Sequence, residues 1–163
     1  MNIVLYQPEI PHNTGAIGRT CLMAGAVLHL IRPYGFFLDD ASLKRAGMDY
    51  WRRVDVREYD CFADFAAKNA ARHDGSRARF WFAETGGDAC YADKTYSRGD
   101  YFIFGSETGG LPRAILDEHQ CNGNIISIPM ISEITDRSLN LSVSVGIILF
   151  EALRQTGFSG MGF

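Results

Sequence analysis

The sequence predicts an α/β fold, a mostly parallel sheet with helices on both faces, built as a single domain over residues 1–163. Short β-branched and aromatic runs alternate with helix-like stretches, the pattern of strand–helix–strand crossovers. Glycine-bearing turns follow several of those runs, where the loops of a parallel sheet gather. The 163 residues are 47% hydrophobic, with 11 Phe, 7 Tyr and 2 Trp, enough for one sizeable core. No repeat, linker or compositional break divides the chain.

Strands are predicted at 2–6 (NIVLY), 27–31 (VLHLI), weakly near 54–57, then at 79–83 (RFWFA), 101–104 (YFIF) and 124–128 (NIISI). Helices fill the intervals. Asn13 and Thr14 can cap a helix running to about Ala24, with Gly25 placed to end it in the left-handed conformation. Asp39 and Asp40 could open a short helix ending near Gly47. Asp60 can cap the Ala-rich stretch 61–72, whose Phe62, Phe65 and Ala66 share a face. Pro112 suits the first turn of a helix through Glu118, because its missing N–H would be unpaired there in any case.

The last helix, from 138 to about 155, carries Leu139, Leu141, Val143, Val145, Ile147, Ile148, Leu149, Phe150 and Leu153 around most of its circumference. Such a helix needs cover on more than one side. In a domain this small a second subunit can supply that cover, so a homodimer is expected; a central helix of a monomer is the alternative.

The net charge of −3 argues against a protein that coats nucleic acid through bulk positive charge, while leaving room for a local patch. Thirteen of the 16 basic residues are Arg, which favours planar, bidentate contact with phosphate or carboxylate. Cys21, Cys61, Cys90 and Cys121 are scattered, without metal-ligand spacing, and read as reduced, mostly buried thiols. The amino terminus opens on a strand without a basic leader, and no apolar run is long enough to span a membrane, so a cytoplasmic protein is expected.

Three glycine-bearing segments follow strands: Asn13-Thr14-Gly15, Gly86-Gly87 and Gly105-Ser106-Glu107-Thr108-Gly109-Gly110. None has the G-x-G-x-x-G dinucleotide spacing or that of a P-loop, which disfavours a nicotinamide dehydrogenase or a nucleoside triphosphatase. There is no G-x-S-x-G elbow, no H-E-x-x-H and no carboxylate cluster for a metal. His12 and His119 are isolated histidines, more often hydrogen-bonded or surface residues than catalysts. What remains is a polar set on loop-to-helix junctions: Asn13, Arg19, Glu107, Ser138 and Asn140. Arg19, six residues beyond Asn13, could reach back from its helix toward the glycine loop or be a solvated arginine. Ser138 and Asn140 could equally be helix caps.

Taken together, "PEIPHNTGAIGR" (8–19), "IFGSETGGLP" (103–112) and "IPMISEITDRSLNLSVSV" (128–145) resemble the three ordered motifs of the SPOUT superfamily of RNA methyltransferases. The likeness is to the small TrmL-like branch, the tRNA wobble-nucleotide 2′-O-methyltransferases. It extends to "RAGMDYW" (45–51) and the ending "FEALRQTGF". The resemblance implies an α/β fold whose carboxyl-terminal segment is threaded as a trefoil knot, and an obligate dimer. Periodicity could not indicate a knot, since threaded chains are rare.

The resemblance also implies an S-adenosylmethionine site at Glu84, Thr85, Gly105, Ile128, Ser138 and Leu139. It implies a catalytic set of Asn13, Arg19, Glu107, Ser138 and Asn140, with no metal. Methyl transfer to a ribose oxygen depends mainly on positioning. Arg19 is a poor base, and its expected role is to orient the 2′-hydroxyl or neighbouring phosphate and stabilise developing oxyanion charge. Lys44, Arg45, Arg52, Arg53 and Arg57 form a basic stretch suited to tRNA phosphates or to a solvated face.

The chain departs from the family at Gly109, commonly Arg, at Val143, commonly Asn, at Glu84, usually apolar, and at Ser106, commonly Pro. These departures bear on substrate and activity rather than on fold. The expected function is therefore S-adenosylmethionine-dependent 2′-O-methylation of cytidine or modified uridine at the tRNA wobble position. The alternatives are another tRNA position, ribosomal RNA, or a weakly active RNA-binding dimer.

Overall fold

The computed structural model describes residues 1–36, 50–71, 75–119, 123–131, 133 and 137–162. Seven strands form one sheet: β1 (Asn2–Tyr6), β2 (Val27–Ile31), β3 (Val56–Tyr59), β4 (Phe80–Ala83), β5 (Ala89–Cys90), β6 (Tyr101–Phe104) and β7 (Ile125–Ser127). Their order is β3-β2-β1-β6-β4-β7-β5, and every pairing is parallel. Among the described residues the α-helices are α1 (Pro11–Ala24), α2 (Phe62–Asn69), α3 (Arg113–His119) and α4 (Leu141–Gln155).

The strands are apolar on alternating positions to both sides, as a sheet covered on both faces requires. Ile3, Leu5, Leu28, Leu30, Phe102 and Phe104 pack with Ile17 and Cys21 of α1 and with Val145, Ile148, Leu149 and Ala152 of α4. The intervening Val4, Ile31, Phe82 and Ile103 face Phe65 of α2 and Leu116 of α3. Helices thus cover both faces, as expected.

Several boundaries differ from the sequence expectation. Helix α1 begins at Pro11 with Ile10 as its N-cap, so Asn13 and Thr14 lie inside the helix rather than capping it. Gly25 does end it at φ 62°, with its N–H on the final carbonyls. Helix α2 spans 62–69 rather than 61–72, and its N-cap is Cys61, which makes no side-chain capping bond. Helix α4 starts at Leu141, capped by Asn140. The two-residue strand β5 has no periodicity to detect. The helix expected near 39–47 lies outside the described residues. Among the described thiols only Cys21 is buried, while Cys61 is exposed and Cys90 half-buried, against the expectation of mostly buried cysteines.

A polar chain runs through the α2 side of the core. Asn2 donates its amide to the carbonyls of Gly99 and Asp100, leaving its Oδ1 to accept from His29 Nε2 at 3.2 Å. His29 Nδ1 then accepts from the Tyr59 hydroxyl at 2.8 Å, and Asn69 joins Tyr59 to Tyr101. Burial, reinforced by the Arg57 charge, pushes the His29 pKa down from 6.5 to about 4. Because the unfolded chain binds the proton more readily, stability is full above about pH 6.5 and falls as pH drops toward 4, by about 3 kcal/mol. Urea unfolding of the native protein and His29→Gln at pH 7 and pH 4.5 checks this: the variant's stability is expected to depend less on pH in that interval.

Candidate active site

Strand β6, late in the chain, is inserted between β1 and β4. At such a reversal of strand order the loops leaving adjacent strands part and open a crevice at their carboxyl ends. Here the crevice is a cleft of about 450 Å³, within the size range of small-molecule sites. Its walls come from Ile10 and Asn13 after β1, Glu84 and Thr85 after β4, Gly105–Gly110 after β6, Ile128 and Met130 after β7, and Ser138, Leu139 and Asn140 ahead of α4. Ile126 and Ile148 also line it.

One carboxylate fastens these loops together. Glu107 Oε2 accepts from the backbone N–H of Glu9 at 2.8 Å, and its Oε1 accepts from the Ile10 N–H at 3.2 Å and the Asn13 amide at 3.0 Å. Asn13 Oδ1 in turn accepts from the Asn140 amide at 2.9 Å. Asn140 Oδ1 caps α4 by accepting from the Ser142 N–H at 2.9 Å. Glu9 closes the circuit from the other side: its carboxylate accepts from the Thr108 N–H at 3.1 Å and hydroxyl at 2.8 Å. Asn13 is fully enclosed within this circuit, which explains why it serves tertiary structure and not the helix cap.

The β6 loop is itself a tight hairpin. Ser106 and Gly110 exchange backbone hydrogen bonds of 3.2 and 3.0 Å, and a Cβ on Gly105 would lie 2.1 Å from the Gly110 carbonyl carbon. Gly110 is left-handed at φ 62° and lies against the Glu84 carboxylate. Glu84 accepts from the Leu111 N–H at 3.0 Å and the Thr85 N–H at 3.2 Å, so it brackets the β4 and β6 loops. Among the described lining residues there is no His, Cys, Lys or Arg. The side-chain charges lining the cleft are Glu84 and Glu107, which favour a ligand carrying positive charge.

The cleft therefore brings together Asn13, Glu107, Ser138 and Asn140 of the expected catalytic set, and Glu84, Thr85, Gly105, Ile128 and Leu139 of the expected donor set. Arg19 is not among them. Six residues along a helix amount to a rotation of about 240° from Asn13, so Arg19 leaves α1 on another face. There its guanidinium lies over the Tyr50 ring, 4.6 Å from the centroid. Arg52 and Arg53 are exposed on a short 3₁₀ turn, Trp51–Arg53, just beyond Tyr50. Arg57 pairs with Asp55 at 3.4 Å, and Lys44 and Arg45 lie outside the described residues.

Of the departures, Gly109 donates its N–H to the Ser106 hydroxyl at 3.1 Å, and Val143 is exposed on α4. Sequence reasoning missed the bracing by Glu9 and the contact between Tyr50 and Arg19. Glu9 stands in the quoted "PEIP" segment and Tyr50 in "RAGMDYW", but only distant partners give them roles.

A doubly covered parallel sheet with a cleft at its carboxyl edge, closed by the start of a late helix, is the architecture of an α/β protein that takes a small molecule where the strand order reverses. Residues 1–150 match the SpoU rRNA Methylase family, and the chain belongs to that family of RNA methyltransferases. A tRNA (cytidine(34)-2′-O)-methyltransferase of Photorhabdus asymbiotica is 42% identical over 160 residues, covering 98% of this chain and 96% of its own. A solved structure described under 2-OH methylation of C/U34 on tRNA is 43% identical with a TM-score of 0.82, covering 96% of this chain and 95% of that one. An AdoMet-bound rRNA methyltransferase from Sinorhizobium meliloti is 26% identical with a TM-score of 0.74, covering 94% of this chain and 55% of that one.

Gly105→Ala tests the hairpin. The 2.1 Å approach forces the 105–110 loop to move, so the variant is expected to lose donor binding by at least about tenfold in calorimetric titration. Undiminished binding by a folded variant would show that the loop does not shape the site.

Proposed function

We propose that this protein transfers a methyl group from S-adenosylmethionine to the ribose 2′-hydroxyl of cytidine or modified uridine at position 34 of tRNA. The observation that carries this reading is the convergence of all three motif segments on one cleft, together with full-length relatives named for that reaction.

The cleft suits the donor. Strand-end backbone groups can read an adenine edge, Ile128 and Leu139 offer apolar cover, and Gly105 keeps the floor open. The two carboxylates favour a cation over a neutral compound of the same shape. When bound, S-adenosylmethionine would supply an electrophilic methyl group on a positively charged sulfur, the carbon–sulfur bond giving way to the new bond from the ribose oxygen so that S-adenosylhomocysteine leaves and the hydroxyl proton passes to solvent. Glu84, Thr85, Gly105, Ile128, Ser138 and Leu139 hold it, while the Glu107–Asn13–Asn140 circuit fixes the loops around it. Arg19 orients the 2′-hydroxyl or its adjacent phosphate and stabilises negative charge on the attacking oxygen. Exposed Arg52 and Arg53, with Lys44 and Arg45, contact tRNA phosphates. No metal takes part.

Two features of the assembly belong to the same reading. The carboxyl-terminal segment is threaded as a trefoil knot, a reading supported by Ile128 and Met130 after β7 and Ser138, Leu139 and Asn140 ahead of α4, which line one cleft with the β4 and β6 loops. Val143, Ile147 and Phe150 form a stripe at i, i+4 and i+7 on α4, of which Val143 is 49% and Phe150 44% exposed. Met23 of α1 is 72% exposed. A second copy of the chain covers these apolar groups, and because Arg19 stands outside its own cleft, the site is completed in the homodimer. Val145, by contrast, is buried within its own chain, so its replacement would test folding and not association. The enzyme works in the cytoplasm, with tRNA; no helix among the described residues is long and apolar enough to cross a membrane.

Three measurements test the proposal. Incubation with unmodified tRNA and labelled donor, followed by nucleotide mapping, is expected to place the methyl group at position 34; a site outside the anticodon, or in ribosomal RNA, would contradict it. Arg19→Ala is expected to lower turnover about a hundredfold while leaving donor affinity nearly intact. A loss of donor binding would instead assign Arg19 to the donor. Val143→Asp and Phe150→Asp place a carboxylate in the proposed interface and should yield folded monomers in light scattering, with turnover reduced.

A further inference from the structure

We infer that Tyr50 is a positioning residue for methyl transfer, holding the Arg19 guanidinium in its working orientation through the face of its ring; this rests on the role proposed above for Arg19. Arg19 is exposed on α1, and an exposed arginine samples many rotamers unless something holds it. Its guanidinium carbon lies 4.6 Å from the centroid of the Tyr50 ring, within the range of a cation–π contact. The ring is itself fixed at both ends. Its hydroxyl donates to the carbonyl of Gly15 at 2.8 Å, one turn before Arg19 on the same helix. The next residue, Trp51, lies so close to Gly18 that a Cβ there would stand 2.6 Å from the indole.

Tyr50 and Trp51 thus grip the one stretch of α1 that carries Arg19, and small residues at 15 and 18 admit them. The arrangement has a chemical consequence. A carboxylate partner would orient Arg19 equally well but would neutralise it, weakening its pull on an oxyanion. An aromatic face orients the guanidinium without supplying a competing full negative charge, and its planar surface leaves the outward N–H groups free for phosphate or oxygen. Tyr50 therefore acts on the reacting geometry and not on donor affinity. Arg52 and Arg53 lie in the 3₁₀ turn that Tyr50 caps, so a tRNA backbone resting on them would bear on the element that aims Arg19.

The test uses the full-length protein with Phe, 4-fluoro-, 3,5-difluoro- and 3,4,5-trifluorophenylalanine incorporated in turn at position 50. The series keeps the ring's size while draining charge from its face. Taking Tyr50→Phe as the reference, because it already lacks the hydrogen bond to Gly15, turnover of tRNA is expected to fall stepwise along the series, by about two- to fivefold in total, with donor affinity and melting temperature the same across its members. Tyr50→Leu should lower kcat by about tenfold or more, and should add little in an Arg19→Ala background. A flat kcat across the fluorinated series, or additive losses in the double variant, would overturn the assignment to Tyr50. If Arg19→Ala alone leaves turnover intact, the failure lies instead with the role given to Arg19.

Discussion

The Glu107 carboxylate accepts from two backbone N–H groups at the start of α1 and from the Asn13 amide, all contributed by chain more than ninety residues away. The architecture of the cleft depends on this interaction. Charge-assisted hydrogen bonds of this type contribute about 1.5–3 kcal/mol each when their partners are desolvated, less where solvent enters. Their structural effect exceeds that figure, because they set the direction in which α1 leaves the sheet. That direction determines where Asn13 meets Asn140, where α4 begins, and where Arg19 emerges. Glu9 and Thr108 repeat the bond in reverse, so the β1 and β6 loops are joined by two crossed carboxylates. With neighbouring strands as the floor, the loops have little freedom to collapse into the cleft.

The chemistry follows from what this frame presents. Among the described residues lining the cleft are backbone edges, apolar side chains and two carboxylates, with no side chain of the usual general-base kind beyond those acids. Both carboxylates are occupied as acceptors for backbone N–H groups, which suits them to bracing. Catalysis by such a site is a matter of approach: holding a reactive methyl carrier and a ribose oxygen in line and excluding water. The cation that would stabilise the oxygen is Arg19, and it stands on a different face of α1. In the proposed homodimer, the apolar stripe that α4 leaves exposed among the described residues is covered by a second copy, and that assembly would bring the arginine to bear.

Much of the fold was legible in the sequence because it rests on local pattern. Apart from Asn2 and His29, the runs NIVLY, VLHLI and YFIF carry apolar or aromatic residues on both alternations, which is how strands buried on both faces read, and each matches a strand of the sheet. Gly25 was legible as a helix end because only local backbone geometry is involved. Asn13 misled for the opposite reason. Its type and place suit a cap, yet Pro11 moves the helix start upstream and a carboxylate 94 residues away claims the amide. Asp60 misled similarly, since α2 begins one residue later with Cys61 as its cap.

The cleft residues were gathered through motif resemblance rather than from spacing, because their meeting depends on β6 entering between β1 and β4. Nothing local in either strand announces that insertion. The exterior position of Arg19 was likewise hidden: spacing alone gives reach along the helix axis, whereas rotation about it decides which face the side chain leaves.

The most direct measurement is calorimetric titration of the homogeneous protein and of Glu107→Gln with S-adenosylmethionine. The account predicts saturable binding by the native protein, and clearly weaker binding by the variant, whose single amide nitrogen would face either the Glu9 N–H or the Ile10 N–H and Asn13 amide, breaking the bonds on that side. Absence of any binding heat across temperatures in the native protein, or equal affinity in the two, would contradict it.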